Sequence, residues 1–80
     1  MNEKELRNHV LEFFKKRGRQ TGEFYEWFDE KYGPETVSWV DKRAMIHACR
    51  ATGLLVRTGY ASSTRYKTTA LGRKVLSMAG

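Results

Sequence analysis

Arg50-Ala51-Thr52-Gly53-Leu54-Leu55-Val56-Arg57, answered eight residues later by Tyr66-Lys67-Thr68-Thr69-Ala70-Leu71-Gly72-Arg73, is the part of the chain that decides its fold. Gly53, following Ala51-Thr52, is placed to close a helix. The pattern then changes to two short runs rich in β-branched, aromatic and basic residues, Leu54 to Thr58 and Thr64 to Lys67, separated by Gly59-Tyr60-Ala61-Ser62-Ser63. Such runs on either side of a turn-forming segment predict a β-hairpin with a polar, basic tip. Thr68 or Thr69 can cap a last helix that carries Leu71, Val75 and Leu76 and ends near Met78.

Working back towards the N-terminus, the periodicity predicts three helices. The third spans about residues 35 to 52, opened by Pro34 or Thr36 after the break at Gly33-Pro34. Its apolar residues lie nearly all round it: Val37, Val40, Ala44, Ala48 and Ala51 form one stripe, and Trp39, Ile46 and Cys49 form another. Either stripe could face the core. The second helix runs from a Thr21 cap to about Tyr32, with Phe24, Tyr25, Phe28 and Tyr32 on one arc and Glu23, Glu26, Asp29 and Glu30 on the other. Trp27 and Trp39 are residue types that usually sit in cores or interfaces. The first helix covers about residues 3 to 17, from Asn2 through Leu6, Val10, Phe13 and Phe14, with Lys15-Lys16-Arg17 in its last turn and Gly18 as its terminator. The expected fold is α+β and mostly helical: three helices, a hairpin and a C-terminal helix in one domain over residues 1–80.

Eighty residues leave no room for a second domain. Leu, Ile, Val and Phe together are sparse, and the ten aromatic residues supply much of the buried area a core needs. A chain this short buries only about 60–65% of its unfolded surface, so dimerisation would add stability. Cys49 is the single cysteine, which excludes an internal disulfide and favours a reducing, cytoplasmic setting. The apolar run Leu54-Leu55-Val56 is far shorter than the ~20 residues of a membrane span, and Met1 to Glu5 lacks the apolar region of a signal peptide.

The net charge of +6 is unevenly distributed. Residues 1–20 carry a net +3 and residues 21–41 a net −5, whereas residues 42–80 hold eight Lys or Arg and no acid. Solubilising surfaces usually mix both signs, so a basic half of this length reads as the footprint of a polyanion.

The residues quoted at the outset resemble the winged helix-turn-helix family, most of all its small MarR-like and PadR-like DNA-binding regulators, over about residues 20 to 78. In that family a recognition helix ends at a glycine, an apolar strand leads into a basic wing, and a returning Y-x-x-T-x-x-G segment, here Tyr66 to Gly72, enters the final helix. The resemblance implies a tight turn at Tyr32-Gly33-Pro34-Glu35 and places Met45, Ile46 and Cys49 inward on the recognition helix. It also implies a sequence-specific transcriptional regulator of double-stranded DNA, cytoplasmic and nucleoid-associated when bound. Such a helix needs side chains that reach base edges. The third helix offers Ser38, Lys42, Arg43, His47 and Arg50. Arg43, His47 and Arg50 share one arc, with Ser38 and Lys42 on another, and the planar fork of Arg43 suits guanine O6 and N7. In the wing, Arg57, Thr58, Tyr60, Ser62, Ser63, Thr64, Arg65 and Lys67 would meet phosphates or the minor groove. Lys15, Lys16, Arg17, Arg19 and the amides near Thr21 could add phosphate contacts. The acidic face of the second helix should point away from DNA. The first or the last helix could carry a homodimer.

Enzymatic readings find little support. His9, His47 and Cys49 do not form a metal-ligand pattern, Gly18 to Gly22 is not a phosphate-cradling loop, and no pair of acids recommends itself for hydrolysis. No cofactor, metal, small-molecule ligand or membrane partner is expected. Two alternatives remain: a winged helix that binds proteins through the aromatic second helix, and a winged helix that binds RNA.

Overall fold

The computed structural model describes residues 1–59 and 64–78. Among the described residues it contains α1 (Glu3–Phe13), α2 (Thr21–Tyr32), α3 (Trp39–Ala51), β1 (Leu55–Arg57), β2 (Tyr66–Thr68) and α4 (Ala70–Met78). The chain is therefore α+β and mostly helical, with one antiparallel two-stranded hairpin, as expected. No helix among the described residues is long and apolar enough to cross a membrane.

The Asn2 side chain caps α1 by accepting the Glu5 N–H at 2.8 Å. The helix stops at Phe13, four residues before the expected end, because β2 takes over the backbone groups that follow. Thr68 donates its hydroxyl to the Leu11 carbonyl at 2.6 Å and its N–H to the Phe14 carbonyl at 3.0 Å. Lys15, Lys16 and Arg17 thus lie in a bend beyond the helix. Gly18 does not terminate it: a Cβ there would collide with the Thr58 side chain, so this glycine lets two chain segments pass closely. The bend then joins the hairpin, as Arg19 and Tyr66 exchange backbone hydrogen bonds of 3.0 and 2.8 Å. That extra rung on β2 has no counterpart in the sequence reading.

Gln20, not Thr21, caps α2, and its N–H donates to Glu23 Oε2 at 2.7 Å. This bond holds the Glu23 carboxyl below its ordinary pKa. Phe24 and Phe28 are fully buried, and Gly33, at φ +91°, ends the helix. The next helix begins four residues later than expected. Residues 34–38 form a turn that seats Val37 in the core, and Ser38 caps α3 by accepting the Asp41 N–H at 3.1 Å. At the other end Gly53 adopts φ +79° and Leu54 N–H reaches back to the Cys49 carbonyl at 2.8 Å, which closes α3 in a left-handed cap.

The hairpin pairs Leu55 with Thr68, Val56 with Lys67 and Arg57 with Tyr66, so Leu55 enters the core while Val56 faces out. Thr69 opens α4 by accepting the Gly72 N–H at 3.1 Å while donating its own hydroxyl to the Gly53 carbonyl at 2.7 Å. One threonine thereby ties the start of α4 to the end of α3. Gly72 is buried, and a Cβ there would lie 2.5 Å from the Leu54 carbonyl oxygen. The core itself joins Leu6, Val10, Leu11, Phe13 and Phe14 of the N-terminal segment to Phe24, Phe28, Ile46, Cys49 and Leu55. Of the two stripes on α3, that of Ile46 and Cys49 is buried with Met45 partly covered, whereas Val40, Ala44, Ala48 and Ala51 are exposed. Trp39 leaves its expected stripe and is exposed, since it begins the helix.

Candidate nucleic-acid interface

The inward set on α3 determines what its outward face presents. Ile46 and Cys49 fix the rotation of the helix, and Lys42, four residues before Ile46, is carried inward with them. Lys42 is 1% exposed, and its ammonium pairs with Asp29 Oδ1 on α2 and lies 5.3 Å from the centre of the Phe28 ring. The expectation that Lys42 belongs to a nucleic-acid-facing surface is therefore corrected: the residue is a strut between two helices. Ser38 is exposed, with its hydroxyl engaged in capping. Arg43, His47 and Arg50 are exposed together on the outward arc.

These three side chains line an open groove of about 410 Å³ with Gln20, Thr21, Gly22, Tyr25, Ile46, Thr64 and Tyr66. Three elements build it. The outward face of α3 supplies the cations, and the first turn of α2 supplies backbone N–H groups that lack intrahelical partners. The strand side supplies Tyr66, over whose ring the Arg50 guanidinium stacks at 4.8 Å. The α2 side is open at Gly22, where a Cβ would meet nothing within 4 Å. No carboxylate lines the groove among the described residues. Its two arginines attract anionic oxygens, while the Glu23 carboxylate already caps the α2 N-terminus by accepting the Gln20 N–H. Tyr25, half-buried against the core, has its hydroxyl pKa raised by burial, with Arg43 opposing the shift.

The residues expected to form a wing divide. Arg57 braces the hairpin, donating from Nε to the Gly59 carbonyl at 2.8 Å and from Nη2 to Thr64 Oγ1 at 3.3 Å. Thr58 N–H donates to the Arg65 carbonyl at 2.8 Å. Arg65 is exposed and Lys67 half-exposed. Tyr60, Ser62 and Ser63 lie outside the described residues.

Thr21 is in the groove, but the cations after α1 are not among its lining residues. Lys16, Arg17 and Arg19 line a second depression with Glu12, Phe13 and Trp27. Trp27 follows Tyr25 by two residues, which turns it about 200° around α2 and onto another flank. The Arg19 guanidinium lies over the Phe13 ring, 4.2 Å from its centre, and 3.7 Å from Glu23, and its buried Nε has no hydrogen-bond partner among the described residues. Arg73 donates to the Lys15 carbonyl at 3.2 Å and so ties this bend to α4.

Sequence reasoning missed Gln20, Gly22, Tyr25 and Tyr66 as lining residues. Tyr25 was legible, since it follows the buried Phe24 by one position and must sit at the edge of the apolar arc. The acidic face of α2 is smaller than its composition implies: Asp29 pairs with Lys42 and Glu23 caps the helix, which leaves Glu26 and Glu30 exposed. Cys49 is buried, and burial pushes its thiol up to about 11, which makes it unreactive near neutral pH. Of the α2 aromatics, Phe24 and Phe28 lie inside the core, whereas Tyr25, Trp27 and Tyr32 are partly exposed. No family model matches this chain, and no curated protein matches it either.

Proposed function

We propose that this protein is a winged helix-turn-helix domain that binds double-stranded DNA and acts as a cytoplasmic, nucleoid-associated transcriptional regulator. In this reading α3 enters the major groove and the hairpin is the wing that rests on the backbone. One observation carries it: the acid-free groove that joins Arg43, His47 and Arg50 to the first turn of α2 and to the base of the hairpin. Arg43 would hold guanine O6 and N7. The N–H groups of Thr21 and Gly22 would meet a phosphate, and Arg65 and Lys67 would neutralise others. Leu71 and Met78, exposed and seven residues apart on α4, would form the face of a homodimer.

Selection of bound sites from a randomised duplex DNA pool near physiological salt tests the proposal. Enrichment of one motif is the expected result, and a repeated half-site would add that the protein binds as a dimer. Retention without enrichment would reduce the reading to a non-specific DNA binder. No retention, or preference for structured RNA over duplex DNA of equal length, would overturn it.

A further inference from the structure

Trp39 and Val40 have no role in the account above. They are the first two residues of α3, and at 60% and 56% exposure they form an apolar surface that nothing else in the described chain covers. Two features of α3 set their position. Ser38 caps the first turn, and the buried side chains of Lys42, Ile46 and Cys49 fix how the helix is rotated.

At ~100° per residue, Trp39, Val40, Arg43, His47 and Arg50 fall within one arc of about 100°. The Arg43 guanidinium lies 6.0 Å from the centre of the Trp39 ring. The nearby acid, Asp41, is turned about a further 100° beyond Val40 and lines a separate depression with Asn2 and Glu3. The leading end of α3 therefore offers a guanidinium fork beside an exposed indole and isopropyl group, with no carboxylate between them.

In the major groove the one distinctly apolar group on a base edge is the C5-methyl of a pyrimidine, and the acceptor pair that fits an arginine fork is that of guanine. We infer that Trp39 and Val40 read a C5-methyl pyrimidine adjacent to a guanine held by Arg43. This rests on the DNA-binding reading and goes beyond it, because it assigns a role to two residues that carry no charge. The methyl can belong to thymine or to 5-methylcytosine.

The probe is the most enriched duplex from the selection, remade with deoxyuridine for each thymine and, separately, with 5-methylcytosine for each cytosine. Removing a contacted thymine methyl is expected to weaken binding by about 4-fold, the equivalent of one buried methyl group. If the relevant base is cytosine, methylation should strengthen binding by about the same factor. The double variant W39A/V40A should bind methylated and unmethylated duplexes equally, with an unchanged thermal melt, since both side chains are exposed. Wild-type protein that does not discriminate overturns this inference and leaves the DNA-binding reading standing. Full discrimination retained by the double variant also overturns it. Failure to retain any duplex overturns both.

Discussion

Lys42 and Arg43 are consecutive cations on α3, and the helix gives them opposite surroundings. Lys42 lies on the inner face, buried between α2 and α3 with Asp29 as its partner. Arg43 lies on the outer face, in an open groove beside Trp39 and His47. One step of about 100° separates a structural strut from a candidate reader. The charge of a residue therefore says little about its task until the phase of its helix is known. The inner face of α3 should govern stability and the outer face binding, and each can be altered without the other.

The largest expected effect is on the inner face. Ile46→Ala removes three carbons from a packed site and should lower unfolding free energy by about 3 kcal/mol, read by urea denaturation. Lys42→Ala should cost about 2 kcal/mol, through lost packing of the alkyl chain and loss of its partner. The cost stays below that of a fully buried pair because Asp29 is partly solvated. Lys42→Met keeps most of the volume and should recover about half of the loss. If Lys42→Ala left stability unchanged yet relaxed sequence preference, the separation of the two faces would fail.

On the outer face, Arg43→Ala should leave stability within about 0.5 kcal/mol of wild type and cost about 1–3 kcal/mol of discrimination at one base position. A binding titration against the selected duplex and its single-base variants checks this. Arg65→Ala, at the wing, should have a smaller and uniform effect, weakening every duplex alike and reducing the slope of log affinity against log salt by about one. Equal effects of the two substitutions on sequence preference would defeat the division between reader and wing.

Much of this fold was legible because local signals agreed with tertiary ones. Asn2, Gly33, Gly53 and Thr69 each sit at a helix boundary for a chemical reason visible in the sequence, and the β-branched, aromatic and basic composition of 54–58 and 64–67 marks the hairpin. The misses share a different cause. The last turn of α1, the role of Gly18 and the Arg19–Tyr66 rung all depend on the hairpin docking beside the α1–α2 bend, through Thr68, Thr58 and Tyr66, which lie 40 or more residues away in sequence. No local pattern reports that. At the candidate site, Arg43, His47 and Arg50 were recoverable from helical spacing. Lys42 was misplaced because a buried lysine is uncommon and its partner Asp29 lies on another helix. Its spacing from Ile46 and Cys49, at i+4 and i+7, was the available clue.

The two histidines extend the comparison of inner and outer surroundings and provide its smallest test. His47 is exposed in the groove, whereas His9 packs among the α2 aromatics, 5.0 Å from the Tyr32 ring centre and 6.0 Å from that of Phe28. Burial, aided by nearby Lys31 and opposed by Glu5, holds the His9 pKa below its ordinary value of 6.5. The unfolded chain therefore takes up a proton at His9 before the folded chain does. The His9 contribution to stability is fully present above about pH 7 and is lost as pH falls through 6.5 towards the lower folded value. Glu23 acts in a separate window. Its folded pKa lies below the ordinary 4.5, so its contribution is lost only in more acidic solution. Thermal melts between pH 7.5 and about 5 should show a shallow fall in midpoint that His9→Gln flattens. A slope that survives His9→Gln unchanged would mean that packing among the α2 aromatics does not couple His9 to folding, and the contrast between inner and outer surroundings would not extend to it.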